Sequence, residues 1–397
     1  MFKNVLKYFS IVIILTGLLL AYLSLFGIET NRFNNLIQNT FSKHNDKVEV
    51  KFDKVKILLN LSKLSISLKA SDIDLFYDDK KIKLKSIKTK YSLLAFWKKE
   101  FGIQNVFIES DNNNLKSIVN FIRIYKNSAR LIIFEKMLKR GTINVNLKLN
   151  FSKDGKIKNN YQIKGFIKDA EIRLLNNNIL SNIDLNFEVQ NDFYLFKNTK
   201  SRYKGIDLLS NEIKVIPTKN SNQNFSITGD INHKSVKLNP EHLSLFFKNE
   251  IKNFENIKLS SNNNFSLIIK KYKIKSYKVD TKIKLNTLKF KTDQLKIKEY
   301  FPSFKGIVDL KDHKVKVLFQ KNFFSIQGEG SYSIDSNSEK ITYDIKKLPK
   351  SIDFITKINI NETPINIEFL NYKKKENKDS SLFVEGEVNE KNFLLKK

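Results

Sequence analysis

Along most of the chain, apolar and polar residues alternate with a period of two. Residues 141–151 (GTINVNLKLNF) show the pattern clearly: Ile143, Val145, Leu147, Leu149 and Phe151 fall on one side, Asn144, Asn146, Lys148 and Asn150 on the other. That period places the two sets on opposite faces of a β-strand. The same alternation recurs at Val48–Phe52, Leu64–Leu68 and Ile73–Tyr77. It continues in SNIDLNFEVQ (Ile183, Leu185, Phe187, Val189), NFSITGDI (224–231), SYKVDTKIKLNTLKF (276–290), HKVKVLF (Val315, Val317, Phe319) and TPINIEF (363–369). Asn, Asp, Lys and Ser clusters such as SKDGK (152–156), NNN (176–178 and 262–264) and DSNS (335–338) separate the runs as turns do. Strands joined by short turns form hairpins and meanders, so the sheet is expected to be antiparallel. No motif repeats cleanly at a period of 20–50 residues, which argues against a propeller or leucine-rich array.

Four stretches break the pattern. Residues 9–28 (FSIVIILTGLLLAYLSLFGI) run without a charge, and as a helix they match the hydrocarbon thickness of a bilayer. Phe9, Ile14, Leu19, Phe26 and Ile28 are its candidate membrane-anchor residues. Lys3 and Lys7 precede the run and Glu29 follows it, which predicts a cytoplasmic N-terminus and a translocated remainder. The run exceeds a signal peptide's apolar core, and Ala21-Tyr22-Leu23 makes a poor cleavage site, so an uncleaved single-pass anchor is expected. Residues 30–42 carry Phe33, Leu36, Ile37 and Phe41 at helical spacing, a short amphipathic helix near the membrane surface. Residues 115–140 place Leu115, Ile118, Val119 and Ile122 on one helical face; after Asn127-Ser128, residues 129–138 read as a second helix or a strand. A further helical patch is expected at 239–250.

Composition narrows the classes. With 397 residues, 41% hydrophobic and 28% charged, the chain is neither disordered nor collagen-like. It has no Cys, which excludes disulfides and Cys-based metal sites. The formal charge of +30 is spread over the whole chain and reads as general overuse of Lys rather than a nucleic-acid footprint. Phe sits mostly on the apolar side of alternating runs, as core or lipid-facing groups do, so no nucleic-acid partner is expected.

Candidate chemistry is sparse. His44, His233, His242 and His313 lack metal-ligand spacing, and no G-x-S-x-G occurs. Gly328-Glu329-Gly330 lies between strand-like runs, as a bulge or turn would. Neither an enzyme nor a metal or cofactor site is expected.

The anchor, the amphipathic segment and residues 48–110 (VEVKFDKVKILLNLSKLSISLKASDIDLFYDDKKIKLKSIKTKYSLLAFWKKEFGIQNVFIES) together resemble the N-terminal region of the AsmA-like superfamily, with its YhdP- and TamB-type envelope proteins. The corresponding strands are Val48–Ile57, Leu64–Leu75, Ile82–Leu94 and Ile103–Ile108, and YQIKGFIKDAEI (161–172) is similar to the family's strand–Gly–strand units. YhdP- and TamB-type members are usually much longer. The resemblance implies a mostly β fold: an elongated, curled antiparallel sheet forming a β-groove behind an N-terminal transmembrane helix, with a few short helices. It divides the chain into the cytoplasmic tip and anchor (1–29), an AsmA-like α+β region (30–114), a helical insertion (115–140) and an extended β-groove (141–397). It further implies a bacterial inner-membrane protein with its bulk in the periplasm, carrying phospholipid between inner and outer membranes. The alternative within the family is an envelope assembly factor that assists outer-membrane protein insertion and has an envelope protein partner. Alternation nominates Ile143, Val145, Leu147, Leu149, Ile183, Leu185, Phe187, Val315, Val317 and Phe319 as groove residues. Ordinary sandwich core is the competing reading for each.

Overall fold

The computed structural model describes residues 2–32, 34, 48–77, 80–125, 128–174, 177–191, 193–218, 224–239, 242, 254–271, 273–291, 306–334, 337–367, 371–389 and 393–396. The amphipathic segment expected at 30–42 and the helical patch at 239–250 fall almost wholly outside these residues, as do His44 and Phe369. The chain is mostly β, in one large antiparallel sheet with an additional two-stranded pair, and it divides into two compact units, Met1–Lys197 and Asn198–Lys397.

The first unit opens with α1 (Phe2–Leu25), β1 (Ile28–Thr30), β2 (Val48–Lys51), β3 (Val55–Asn60), β4 (Ser65–Tyr77) and β5 (Lys80–Ser92). There follow α2 (Leu93–Lys98), β6 (Ile103–Ser110), β7 (Asn113–Asn114), α3 (Leu115–Tyr125), α4 (Ala129–Met137), β8 (Leu138–Asn150), β9 (Gln162–Arg173) and β10 (Ile179–Gln190). Its ladder runs β1–β3–β4–β5–β6–β8–β9–β10, with β2 sharing one edge of β4 with β3, and β7 sharing one edge of β8 with β6. Strand β11 (Phe193–Tyr203) crosses the boundary. The second unit adds β12 (Ile206–Pro217), β13 (Phe225–Leu238), β14 (Phe254–Lys270), β15 (Lys273–Lys291), β16 (Ile307–Gln320), β17 (Phe323–Ile334), β18 (Asn337–Lys347) and β19 (Ser351–Asn359). It ends with the separate pair β20 (Ile365–Ile367) and β21 (Tyr372–Lys374), then β22 (Ser381–Asn389) and β23 (Phe393–Leu395). Strands β12 to β19 pair in sequence, and β22 and β23 complete that ladder. No described pairing closes either ladder into a barrel.

Three local outcomes settle or depart from the sequence pattern. Residues 129–137 choose helix: Ser128 caps it, its Oγ accepting from the Leu131 N–H at 3.4 Å, and Arg123 pairs with Glu135 to tie α3 to α4. The runs Leu64–Leu68 and Ile73–Tyr77 belong largely to one strand, β4. Asp72 there has φ +52°, and the β4–β5 ladder skips Asp72 and Lys85 opposite each other. The apolar positions of β4 change parity at that point, from Ile66, Leu68 and Ala70 to Ile73, Leu75 and Tyr77. Similar irregularities recur at Asp169 in β9, Asn182 in β10 and Asp312 in β16, each with positive φ. Asp and Asn tolerate that conformation because their short polar side chains satisfy local backbone groups.

The third concerns Gly328-Glu329-Gly330. The run lies inside β17, not in a turn, and the bulge is on the partner strand, between Lys311 and Lys314 of β16. The glycines make room. A Cβ at Gly328 would stand 2.3 Å from the Tyr343 ring, and one at Gly330 2.2 Å from the His313 ring. Directly opposed Gly–aromatic pairs recur at Gly165/Phe187, Gly229/Phe265 and Gly386/Phe354. In each, the ring lies across the glycine and covers backbone that would otherwise be bare.

In the first unit the core forms two clusters. One joins Val48, Val50, Phe52, Val55, Ile73, Ile82 and Leu84; the other joins Leu115, Val119, Leu138, Ile143, Ala170 and Ile183. Helix α3 contributes to both, through Ile118, Phe121 and Ile124 on the first and Leu115 and Val119 in the second.

Candidate apolar face

Direct cross-strand partners point to the same face of a sheet, so register shows which side chains form continuous rows. One row in the first unit runs Leu149–Val106–Thr89–Leu68–Ile57–Ile28. Thr89, its one polar member, turns its hydroxyl to the Asn105 carbonyl at 2.9 Å. A parallel row runs Val189–Ile163–Leu147–Ile108–Ile87–Ala70–Val55. Apart from Val55, which is buried, the side chains of this second row are only half-buried.

The first row ends next to helix α1. Helix α1 contains the stretch Lys7–Leu25, of mean hydropathy 2.2, long and apolar enough to cross a membrane and with no part of it buried. Phe9, Ile14, Leu19 and Phe26 are all more than half exposed. Ile28, grouped with the anchor by its apolar neighbours, instead belongs to β1 and pairs with Ile57. Gly27, at φ +72°, makes the turn between helix and strand, and its N–H donates to the Tyr22 carbonyl at 3.2 Å.

The ten nominated groove residues divide by burial. Ile143 and Ile183 are 7% and 5% exposed and lie in the cluster that includes Leu115 and Val119 of α3. At those two positions the helix covers the face. Val145, Leu185 and Phe187 pack on the same cluster and are half-buried, whereas Leu147 and Leu149 belong to neither cluster. In the second unit Val315 and Val317 are half-buried and Phe319 is 45% exposed. They belong to rows of the same kind. One is Ile213–Gly229–Phe265–Val279–Phe319–Phe324, across six strands; another is Thr281–Val317–Ile326–Ile345–Phe354. Phe319 meets Tyr277 and Phe324 at ring separations of 5.1 and 6.0 Å. Among the described residues of this unit only His242 is helical.

Alternation alone left Ile28, Ile57, Leu68, Phe265 and Val279 off the list of groove candidates. Leu68 and Val279 lie in alternating runs and Ile28 in the uncharged apolar run, but only the register shows that each of the five extends a row.

Several polar groups are held by hydrogen bonds within the sheet. His313 is fully buried, with Nε2 2.8 Å from the Ser331 carbonyl and Nδ1 3.2 Å from the Tyr343 hydroxyl. His233 and His242 each meet a backbone carbonyl at 2.9 Å. Burial pushes the Asp230 carboxyl up, but N–H groups of Glu212 and Asn211 and the amides of Asn232 and Asn211 outweigh it and hold it below the ordinary range. Among the described residues no group of three His, Asp or Glu stands together as a metal site.

No family model, curated protein or solved structure matches this chain, so the AsmA-like likeness stands on the sequence pattern.

Proposed function

We propose that α1 anchors the chain in the bacterial inner membrane, N-terminus in the cytoplasm, and that the sheet works in the periplasm as an AsmA-like β-groove. Its apolar face carries phospholipid between inner and outer membranes, acyl chains along the rows and headgroups toward water. The observation that carries this reading is the row from Leu149 to Ile28, which delivers an incompletely covered apolar surface to the end of the anchor. A lipid tail leaving the bilayer beside α1 meets that row without crossing polar backbone. The half-buried Phe, Ile and Val rows of the second unit offer a surface of the same kind. Apolar rows of this extent favour an apolar occupant by roughly 25 cal/mol for each Å² removed from water.

A photo-crosslinking amino acid at Leu149 and at Val317, with Lys148 and Lys278 as opposite-face controls, tests the reading in intact membranes. Phospholipid adducts from Leu149 and Val317, and far fewer from the lysine positions, are expected. Equal labelling of both faces would overturn it. Adducts to unfolded outer-membrane protein in place of lipid would move the protein to the assembly-factor reading.

A further inference from the structure

The polar face of the second unit is hollowed where β14 to β18 lie side by side, over a volume of about 820 Å³. Two rows of side chains wall the hollow. Asn262, Lys282, Lys316, Gln327 and Asp344 are successive cross-strand partners; so are Ser260, Lys284, Lys314, Glu329 and Thr342. All ten line the hollow, together with the residues between them.

The register sets Lys282 directly opposite Lys316, and Lys284 directly opposite Lys314. Opposed partners have Cβ atoms about 5 Å apart, and rows two residues apart are separated by roughly 7 Å. Four ammonium groups therefore share one small patch. Like charges placed this way destabilise a sheet. Lys314 reaches Glu329 at 3.9 Å with both side chains well exposed, and the other three lysines form no ion pair among the described residues. Lys237 opposite Lys258, and the row Lys56–Lys69–Lys88, show that like-charged contacts occur elsewhere in this Lys-rich chain. In the hollow, two such pairs stand side by side.

The far end of the hollow carries Glu329 and Asp344. Asp344 accepts from the Gln327 amide at 2.9 Å and pairs with Lys346 at 3.3 Å. A long uniform polyanion running across the strands would have to pass over both carboxylates. A compact anion confined to the lysine end would not.

We propose that this hollow binds a compact, multiply charged phosphate group, with Lys282, Lys284, Lys314 and Lys316 as its counter-charges. Two adjacent phosphates, or one dianionic phosphomonoester, match the patch in charge and span. The site lies on the face opposite the apolar rows, so it does not depend on the lipid-groove reading. Ionic attraction of exposed lysines is screened by salt, so binding weakens as ionic strength rises.

The test is calorimetry on the full chain in neutral detergent, with inorganic pyrophosphate and, separately, dihexanoyl phosphatidic acid as probes. Saturable pyrophosphate binding is expected. It should weaken at least tenfold in Lys282→Gln/Lys316→Gln and stay unchanged in Lys69→Gln/Lys88→Gln, which removes the like-charge contact between β4 and β5 outside the hollow. A pyrophosphate-free melting temperature at or above the parent's would show that the hollow variant folds, and Lys316→Gln alone gives a milder form. Tighter binding of the phosphatidic acid identifies a lipid headgroup as the source of the phosphate; equal or weaker binding identifies a free phosphate compound. No saturable binding of either probe by the parent, or equal loss in the control variant, overturns the proposal.

Discussion

A carboxylate placed at Ile143 and another at Phe319 should have opposite consequences, and the difference tests whether the apolar rows are core or carrier surface. Ile143 is 7% exposed beneath Leu115 and Val119 of α3. Ile143→Asp removes a buried side chain whose loss costs about 2–5 kcal/mol and adds an unpaired buried charge costing several more. That sum is comparable to the whole stability of a typical domain, roughly 5–15 kcal/mol. Phe319 is 45% exposed, so about half of the ~3 kcal/mol available to a buried Phe is at stake there. Its contacts with Tyr277 and Phe324 add about 1 kcal/mol, and the new carboxylate can reach water. Phe319→Asp should therefore lower stability by about 2–3 kcal/mol, keep its strand content and lose co-purified lipid. Far-UV circular dichroism through a urea titration measures the first two, and mass spectrometry of extracted lipid the third. Two compact units need not unfold as one transition, so the comparison belongs at the level of each unit's own signal. Unfolding of Phe319→Asp as complete as that of Ile143→Asp would refute the carrier reading. So would full retention of lipid by a folded Phe319→Asp.

Three further predictions follow from particular contacts. Gly328→Ala drives a Cβ to 2.3 Å from the Tyr343 ring and should lower the melting temperature by the equivalent of about 1–3 kcal/mol. Adding Tyr343→Leu should restore part of that loss, and no recovery in the double variant would show that the ring contact is not the cause. Glu339 is buried and accepts from the Thr363 hydroxyl at 2.8 Å and from the Asn361 and Glu362 N–H groups, so Glu339→Ala strands three donors at about 1–3 kcal/mol each. Proteolysis between β19 and β22 should accelerate before the rest of the second unit opens; uniform loss of structure would contradict a local clasp. The Asp230 carboxyl titrates below its ordinary value of 3.8 in the folded chain, so its stabilisation is present above that value and disappears as pH falls through the lower folded one. A series of melting curves from neutral to acidic pH should show Asp230→Asn less stable than the parent at neutral pH, the gap closing in acid; a constant gap would refute the assignment.

Strands such as β8 were legible because their alternation is unbroken from Ile143 to Leu149. The apolar helix α1 was legible from its uncharged length, and the first turn of α3 from Leu115, Ile118 and Val119. Continuity was less legible. Asp72 looks like any turn residue, yet it sits within β4 and only changes which positions face inward. The cover over Ile143 and Ile183 was hidden as well, because alternation within a strand says nothing about which helix returns to it. The boundary at Lys197/Asn198 falls inside β11, where composition does not change, so nothing in the local pattern marks it. The lysine hollow is also invisible one strand at a time. Lys282, Lys284, Lys314 and Lys316 look like four ordinary solvated positions until the pairing of β15 with β16 sets them opposite one another.

The parity changes connect the fold to the proposed function. A slip of one residue along a strand exchanges its two faces, so a regular ladder demands strict alternation from end to end. In this chain the apolar positions slip in β4 at Asp72, in β9 at Asp169 and in β10 at Asn182, and the backbone leaves regular geometry at the same places. Each irregularity restores the slipped positions to the apolar side. It also adds local twist, as bulges do. Helix α3 packs near this seam, on Ile73 and Ile82 through one cluster and on Ala170 and Ile183 through the other. Away from the seam the rows through Leu147 and Leu149 remain half-buried and lead strand by strand toward β3. A sheet selected only for its own stability has no use for such rows; covering them with a second helix would add burial at roughly 25 cal/mol per Å². Their incomplete cover, with one row ending at Ile28 beside α1, is what the proposed acyl-chain surface requires.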